Sequence, residues 1–275
     1  MRLIRTLFPI VSVLAIILLF FSCSDTATSP NVDNGKNGDE EDPEQEEPFS
    51  RTEPSGASAN DFLSDSDFSE LVVEIDYIGS SFEPTQDAIA SLETFLQERL
   101  HKRAVTVMEP TQISSDSDQN YTIDEIVELE NQHRDTQTEG DKLTAYMLIT
   151  DGRFHQDGQQ TNVLGIAYYN TSTAFFGEGY NEASGGLGQA SRYQVEATSF
   201  RHEFGHMFGL VGIEESGTDM QTNHQDTENG HHCDDDSCLM YYAMETSDLF
   251  SGAFGGNIPP LDQNCIDDLQ ANGGK

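Results

Sequence analysis

The sequence predicts an α+β domain of helices packed on a twisted sheet, closed by an irregular C-terminal subdomain. Two observations carry this. From residue 71 onward, apolar periodicity switches between that of strands and that of helices, and beyond Leu210 the regular pattern stops. The chain has 275 residues, of which 36% are hydrophobic, and a formal net charge of −36. That length allows one domain of about 200 residues with its own core, together with a polar tail. So much negative charge repels phosphate, which argues against nucleic acid as a partner and against adsorption to anionic lipid.

In chain order, residues 1–23 read as an export signal. Arg2 and Arg5 precede an apolar run over residues 7–21, short for a spanning helix, and Ser22-Cys23 follows. This resembles a bacterial lipoprotein signal. The resemblance implies lipidation of Cys23, a membrane anchor through it, and a place in the cell envelope, periplasmic or cell-surface. Residues 24–66 are Ser, Thr, Asn, Gly, Pro and acid, including Asp39-Glu40-Glu41-Asp42. Such a stretch buries too little apolar surface to offset its ordering entropy, so a disordered acidic tether is expected. Residues 67–275 are then the folded domain, expected to be a monomer.

Within it, Leu71, Val73, Ile75 and Tyr77 alternate with Val72, Glu74, Asp76 and Ile78, a strand with one better-buried face. Pro84 opens a helix whose Ile89, Leu92, Leu96 and Leu100 share a side. Residues 104–108 form a second strand, stopped by Pro110. A capping box, Thr122 to Glu125, starts a helix through about Gln132. Residues 143–150 and 162–169 are further strands, and residues 173–176 a short edge strand. Glycines at 177, 179, 185, 186 and 188 lead into a helix starting near Tyr193.

That helix carries His202-Glu203-Phe204-Gly205-His206. Residues four apart share a helix face, so His202 and His206 can offer two imidazoles to one metal, with Glu203 beside it. This is a zinc hydrolase arrangement: three protein ligands leave a position for water, and Glu203 is placed to take the water's proton. Val195, Phe200, Phe204, Phe208 and Leu210 already supply the helix's apolar body, so the histidine stripe is not needed for packing. Gly209 suits a left-handed turn that ends the helix and redirects the chain toward a further ligand. His101, His133 and His155 stand alone among polar residues and read as surface histidines.

Further on comes His231-His232-Cys233, then Cys238-Leu239-Met240-Tyr241-Tyr242. With these residues the chain resembles the metzincin zinc peptidases, and among them the archaemetzincins, whose signature looks like H-E-x-x-H-x-x-G-x-x-H-C followed by C-x-M. The spacing departs from it: the third histidine would fall at Gly212, whereas the His-Cys pair arrives at 232–233. An insertion must therefore fold out and return. His232, with its Cys neighbour, is the third ligand by resemblance; His224 and His231 compete for the place, and Asp226 stands behind them. The resemblance implies a metzincin-like zincin fold, a turn at Met240 forming an apolar floor under the histidines, a carbonyl-polarising role for Tyr241 or Tyr242, and an extended peptide substrate along the edge strand, residues 173–176.

The cysteines leave two arrangements open. Outside the cytoplasm the default is a disulfide, most simply Cys233 to Cys238. The resemblance instead implies a second, structural zinc held by Cys233, Cys238, Asp262 and Cys265, a carboxylate standing where a thiolate would be. The reading as a whole is a lipid-anchored zinc metallopeptidase acting on peptides or proteins, with His202, His206 and His232 on the metal and Glu203 as general base. Two alternatives remain: a zinc amidase acting on cell-wall or glycan amides, and a non-catalytic surface binding lipoprotein with the same fold.

Overall fold

The computed structural model describes residues 49–115, 120–156, 158–212, 217–251 and 256–275. The expected signal and all but the end of the expected tether lie outside these residues. No helix among the described residues is long and apolar enough to cross a membrane.

The chain enters through a short helix, α1 (Ala59–Leu63), and strand β1 (Glu70–Ile78). Helix α2 (Gln86–Arg99) follows, then β2 (Ala104–Val107), β3 (Thr111–Ile113), β4 (Asn120–Tyr121) and α3 (Ile123–His133). Thr122 and Glu125 form the predicted capping box on α3, while α2 is capped by Thr85, one residue after Pro84. Next come β5 (Lys142–Thr150), β6 (Arg153–Gln156), β7 (Gln159–Gln160), β8 (Gly165–Tyr169), β9 (Ser172–Phe176) and α4 (Gly177–Ala183). The metal-motif helix is α5 (Arg192–Met207). Among the described residues, only a 3-10 turn (Tyr242–Glu245), α6 (Ser247–Ser251) and α7 (Gln263–Ala271) interrupt the irregular remainder.

The main sheet runs β2-β1-β5-β9-β8, with β3 also paired to β1. All its pairs are parallel except β8 with β9. Parallel strands need crossovers that cover the sheet, so both faces are buried. On β5, Ala145, Met147 and Ile149 join the core beneath α2 and α5, while Tyr146 and Leu148 join a second core with Ile126 and Leu129 of α3. The half-buried strand read at residues 71–78 is thus covered on both sides. Its acids are paid for by partners: Glu74 accepts from the Asp135 and Thr136 amides at 2.8 and 2.7 Å, and Asp76 from the Tyr146 hydroxyl at 2.9 Å.

Two expectations are corrected. The edge strand is β8, not residues 173–176. β9 is held by β5 on one side and β8 on the other, and all five of its residues are buried. The expected tether over residues 24–66 is also corrected at its end, because the chain is already built into the fold from residue 49. Phe62 and Leu63 are fully buried, and Asn170, at the β8–β9 turn, donates to Ser50 O and, through its amide, to Glu53 O, both at 2.9 Å. An isolated Phe-Leu pair in a polar stretch gives little periodicity to read.

Candidate metal centre

α5 begins with a capping box in which Ser191 and Gln194 satisfy each other's amides. Its buried Glu196 accepts from Thr85 at the start of α2 and from Arg192, which ties the helix to the start of α2. His202 and His206 project from one face with Nε2 atoms 3.2 Å apart. The helix ends at Gly209, which has φ +69° and whose Cβ position would lie 2.2 Å from Gly217 Cα; no side chain fits there. Thr218 closes the seam by donating its amide and hydroxyl to Gly209 O.

The loop beyond that seam returns His232 to the helix. Asp226 N donates to His232 O at 2.7 Å and Cys233 N to Met240 O at 2.8 Å, so the peptide that follows His232 is pinned at both its oxygen and its nitrogen. Its ring lies 5.3 Å from that of His202 and 5.1 Å from that of His206, centroid to centroid. The orientation is chemically specific. His202 Nδ1 is 2.7 Å from Leu239 O and His232 Nδ1 is 2.6 Å from Asn229 O. A carbonyl only accepts, so each Nδ1 carries the proton and each Nε2 keeps its lone pair for a metal. Met240 packs under α5, where a Cβ on Gly205 would come 2.2 Å from its sulfur.

Burial pushes His202 down to about 4 and His206 well below the ordinary histidine range, so both are neutral at pH 7 as ligands must be. Burial also raises Glu203 far above a normal carboxyl, and the nearby Glu245 carboxylate adds to this. Glu203 Oε1 and His232 Nε2 are buried atoms without a hydrogen-bond partner. The unpartnered His232 nitrogen, among three converging imidazoles, fits a bound divalent ion, while Glu203 Oε1 lies toward Gly165 of β8. The donors that converge are His202, His206, His232 and Glu245, all within 4.8 Å of one another. Glu245 was not singled out in the sequence; an acid following Tyr241-Tyr242-Ala243-Met244 was the signal available. A pocket of about 460 Å³ opens onto the cluster, lined by Glu203, His206, His232 and Glu245 together with Ile166 and Ala167 of β8 and Pro54 and Ser55. Tyr241 and Tyr242 pack on each other at a tilt of 56° and are not among its lining residues.

His231 is exposed and outside the cluster, and Asp226 caps its own turn through Glu228 N and Asn229 Nδ2. His224 belongs to a different group, lying with Cys233, Asp262 and Cys265 within 4.8 Å. Its Nε2 is 2.8 Å from Asp268 Oδ2 and its Nδ1 3.4 Å from Cys233 Sγ. Cys233, Cys238 and Cys265 are all free and buried, so the expected Cys233–Cys238 disulfide is not formed. Cys238 Sγ lies 3.7 Å from Cys265 Sγ and accepts from the amides of Met240 and Asp262, but its hydrogen bond to Cys233 keeps it a thiol, pushed up to about 12. Donation from the Cys238 and Cys265 thiols drives the Cys233 thiol far down, and His224, held by Cys233 above all, is raised to about 9. Asp262 has a structural task as well, capping α7 by accepting from Cys265 N at 2.9 Å. The second group therefore contains a histidine that the sequence reading had not placed there.

These features define a mixed α/β domain, mostly parallel in its sheet, with a three-histidine cluster suited to a metal and a second cluster built on cysteine. No protein-family model matches the chain, and no curated protein matches it. Among solved structures, the archaemetzincin of Methanopyrus kandleri is similar at a TM-score of 0.48 and 16% identity, over 75% of this chain and 96% of that one. Metalloproteinase-II of Bacteroides fragilis is similar at 0.40 and 12% identity, over 76% of this chain and 54% of that one.

Proposed function

We propose that the chain is a zinc-dependent metallopeptidase of the cell envelope, anchored through Cys23, with His202, His206 and His232 holding the catalytic ion. The observation that carries this is the convergence of three imidazoles, two of which have Nδ1 tied to a carbonyl so that Nε2 faces the cluster. A zinc ion bound there supplies Lewis acidity, lowering the pKa of water to about 7 and polarising a scissile carbonyl. Glu203 accepts the water's proton on Oε1, the oxygen left without a partner, and returns it to the leaving amine. Its raised pKa suits a group that must hold the proton between these events.

Peptide substrate is assigned to β8, the antiparallel edge of the sheet, because Ile166 and Ala167 line the same pocket as Glu203. The cysteine group is assigned a second, structural zinc: His224, Cys233, Asp262 and Cys265 lie together within 4.8 Å, and Cys238 adds a sulfur 3.7 Å from that of Cys265. The test is cleavage of a peptide library by the zinc-loaded full chain, read by mass spectrometry. Wild type is expected to cut and Glu203→Gln to be slower by about 10²–10⁴-fold, the usual share of general acid–base catalysis. Identical cleavage by both would overturn the role of Glu203, and no cleavage of any peptide would overturn the peptidase reading. Metal analysis should give two zinc ions per chain, and one in Cys238→Ser.

A further inference from the structure

We infer that Glu245 is a fourth protein ligand of the catalytic ion, closing its coordination shell in the resting protein and swinging aside when the site is used. This rests on the proposal that His202, His206 and His232 bind a metal. Four-coordinate zinc with bonds of about 2.0–2.1 Å spaces its donors by roughly 3.3 Å, the edge of a tetrahedron. The structure repeats that spacing: His202 Nε2 to His206 Nε2 is 3.2 Å, and Glu245 Oε2 to His232 Nε2 is 3.3 Å. The Glu245 to His202 distance is 3.8 Å. Glu245 therefore stands at the vertex that a catalytic site normally leaves to water.

The contact between Glu245 and His232 is not a hydrogen bond that explains itself. His232 Nε2 is buried and 3.3 Å from Glu245 Oε2 but outside hydrogen-bond geometry, so the two lie close without a well-formed bond. That is how two ligands of one ion are arranged. Charge supports the same role, since three neutral imidazoles leave both positive charges of a divalent ion uncompensated and one half-buried carboxylate halves the excess. Glu203, the other acid at the pocket, does not belong to the group of converging donors.

The neighbourhood holds the backbone of Glu245 and leaves its side chain room to move. Glu245 O accepts from Leu164 N at 2.7 Å, and Thr246 bridges to Val163, which ties this turn to the strand entering β8. The side chain is 25% exposed and opens on the pocket, where His202 is fully enclosed. Rotation about the side-chain torsions thus suffices to vacate the vertex, with no movement of the histidines.

The experiment compares the full chain with Glu245→Gln, nearly isosteric, after replacement of the catalytic ion by cobalt(II). Zinc affinity is read by competition with a chelator and coordination by the visible cobalt bands. Glu245→Gln should bind zinc at least about tenfold more weakly, the loss typical of removing even a supporting group, and its cobalt bands should change in position and intensity. Circular dichroism checks the fold, and Glu245→Ala repeats the test should Gln disturb it. Weaker affinity with unchanged cobalt bands would mean that Glu245 acts only through its field and would overturn ligation. Unchanged affinity and bands would overturn it too, while loss of metal from His232→Ala in the same series leaves the three-histidine reading standing. In a Cys238→Ser background, where the cysteine group holds no ion, cobalt bands that survive His202→Ala would sink both.

Discussion

Replacing Gly209 by alanine tests whether the seam after α5 positions the loop that carries His232. Two costs add. Alanine at φ +69° costs about 1–2 kcal/mol against the left-handed conformation. Its Cβ would also meet Gly217 Cα at 2.2 Å and Thr218 N at 2.7 Å, both backbone, so neither can rotate away, and such overpacking costs about 1–3 kcal/mol. The expected loss is about 2–5 kcal/mol. Gly205→Ala is the control. Its Cβ also comes to 2.2 Å, but from the sulfur of the flexible Met240, and alanine within a helix gains about 1 kcal/mol over glycine. Overpacking of about 1–3 kcal/mol then leaves a net cost of roughly 0–2 kcal/mol. Urea unfolding of the metal-free proteins separates the two: at a slope of about 2 kcal/mol per molar, Gly209→Ala should unfold roughly 1–2.5 M earlier than wild type. If Gly209→Ala is no less stable than Gly205→Ala, backbone contact at the seam is not what holds the loop.

Arg134 is buried and bonds Glu130, Thr144, Thr171 and Ser172, so Arg134→Met should cost about 3–5 kcal/mol and lower Tm by roughly 6–20 °C; adding Glu130→Gln should recover part of this, and a shift under 2 °C would contradict it. Burial raises Asp76 to about 6 despite its bond from Tyr146. The folded state thus holds this proton more tightly than the unfolded chain, so its contribution to stability is present below about pH 4 and is lost as pH rises toward 6. Asp76→Asn should flatten that segment of a stability–pH curve, and an unaltered slope would refute the assignment. A chelator should lower Tm, and zinc at 100 times its Kd should restore about 2.7 kcal/mol for each site refilled; a chelator-insensitive Tm would count against both clusters.

Legibility followed sequence distance. His202, Glu203 and His206 lie within one helical turn, where spacing alone sets geometry, and the capping boxes at Thr122 and Ser191 are equally local, although only the first was read. His232 was legible through its Cys neighbour, and the structure brings it to the other two histidines across the insertion. What failed depended on non-local pairing. β9 is short and apolar like many edge strands, and only its hydrogen bonds to both β5 and β8 make it internal. His224 was weighed for the first cluster because histidines read alike in sequence; its partners Cys233 and Asp268 come from elsewhere in the loop and from α7. Glu245 reaches the histidines through the turn that follows Met240, whose direction no periodicity encodes.

The N-terminal stretch built into the fold has a practical bearing on how the protein is divided. Phe62 packs on Phe204 and Phe208, at 6.4 and 5.8 Å between ring centroids, so it braces the back of the very helix whose front bears His202 and His206. Pro54 and Ser55 meanwhile form part of the cavity wall on the opposite side. A fragment cut at residue 67, where the composition changes, would surrender a buttress worth roughly 1.5–3 kcal/mol for each enclosed large apolar side chain and one cheek of the cleft. A cut that keeps Phe49, packed edge-on against Phe68, spares both.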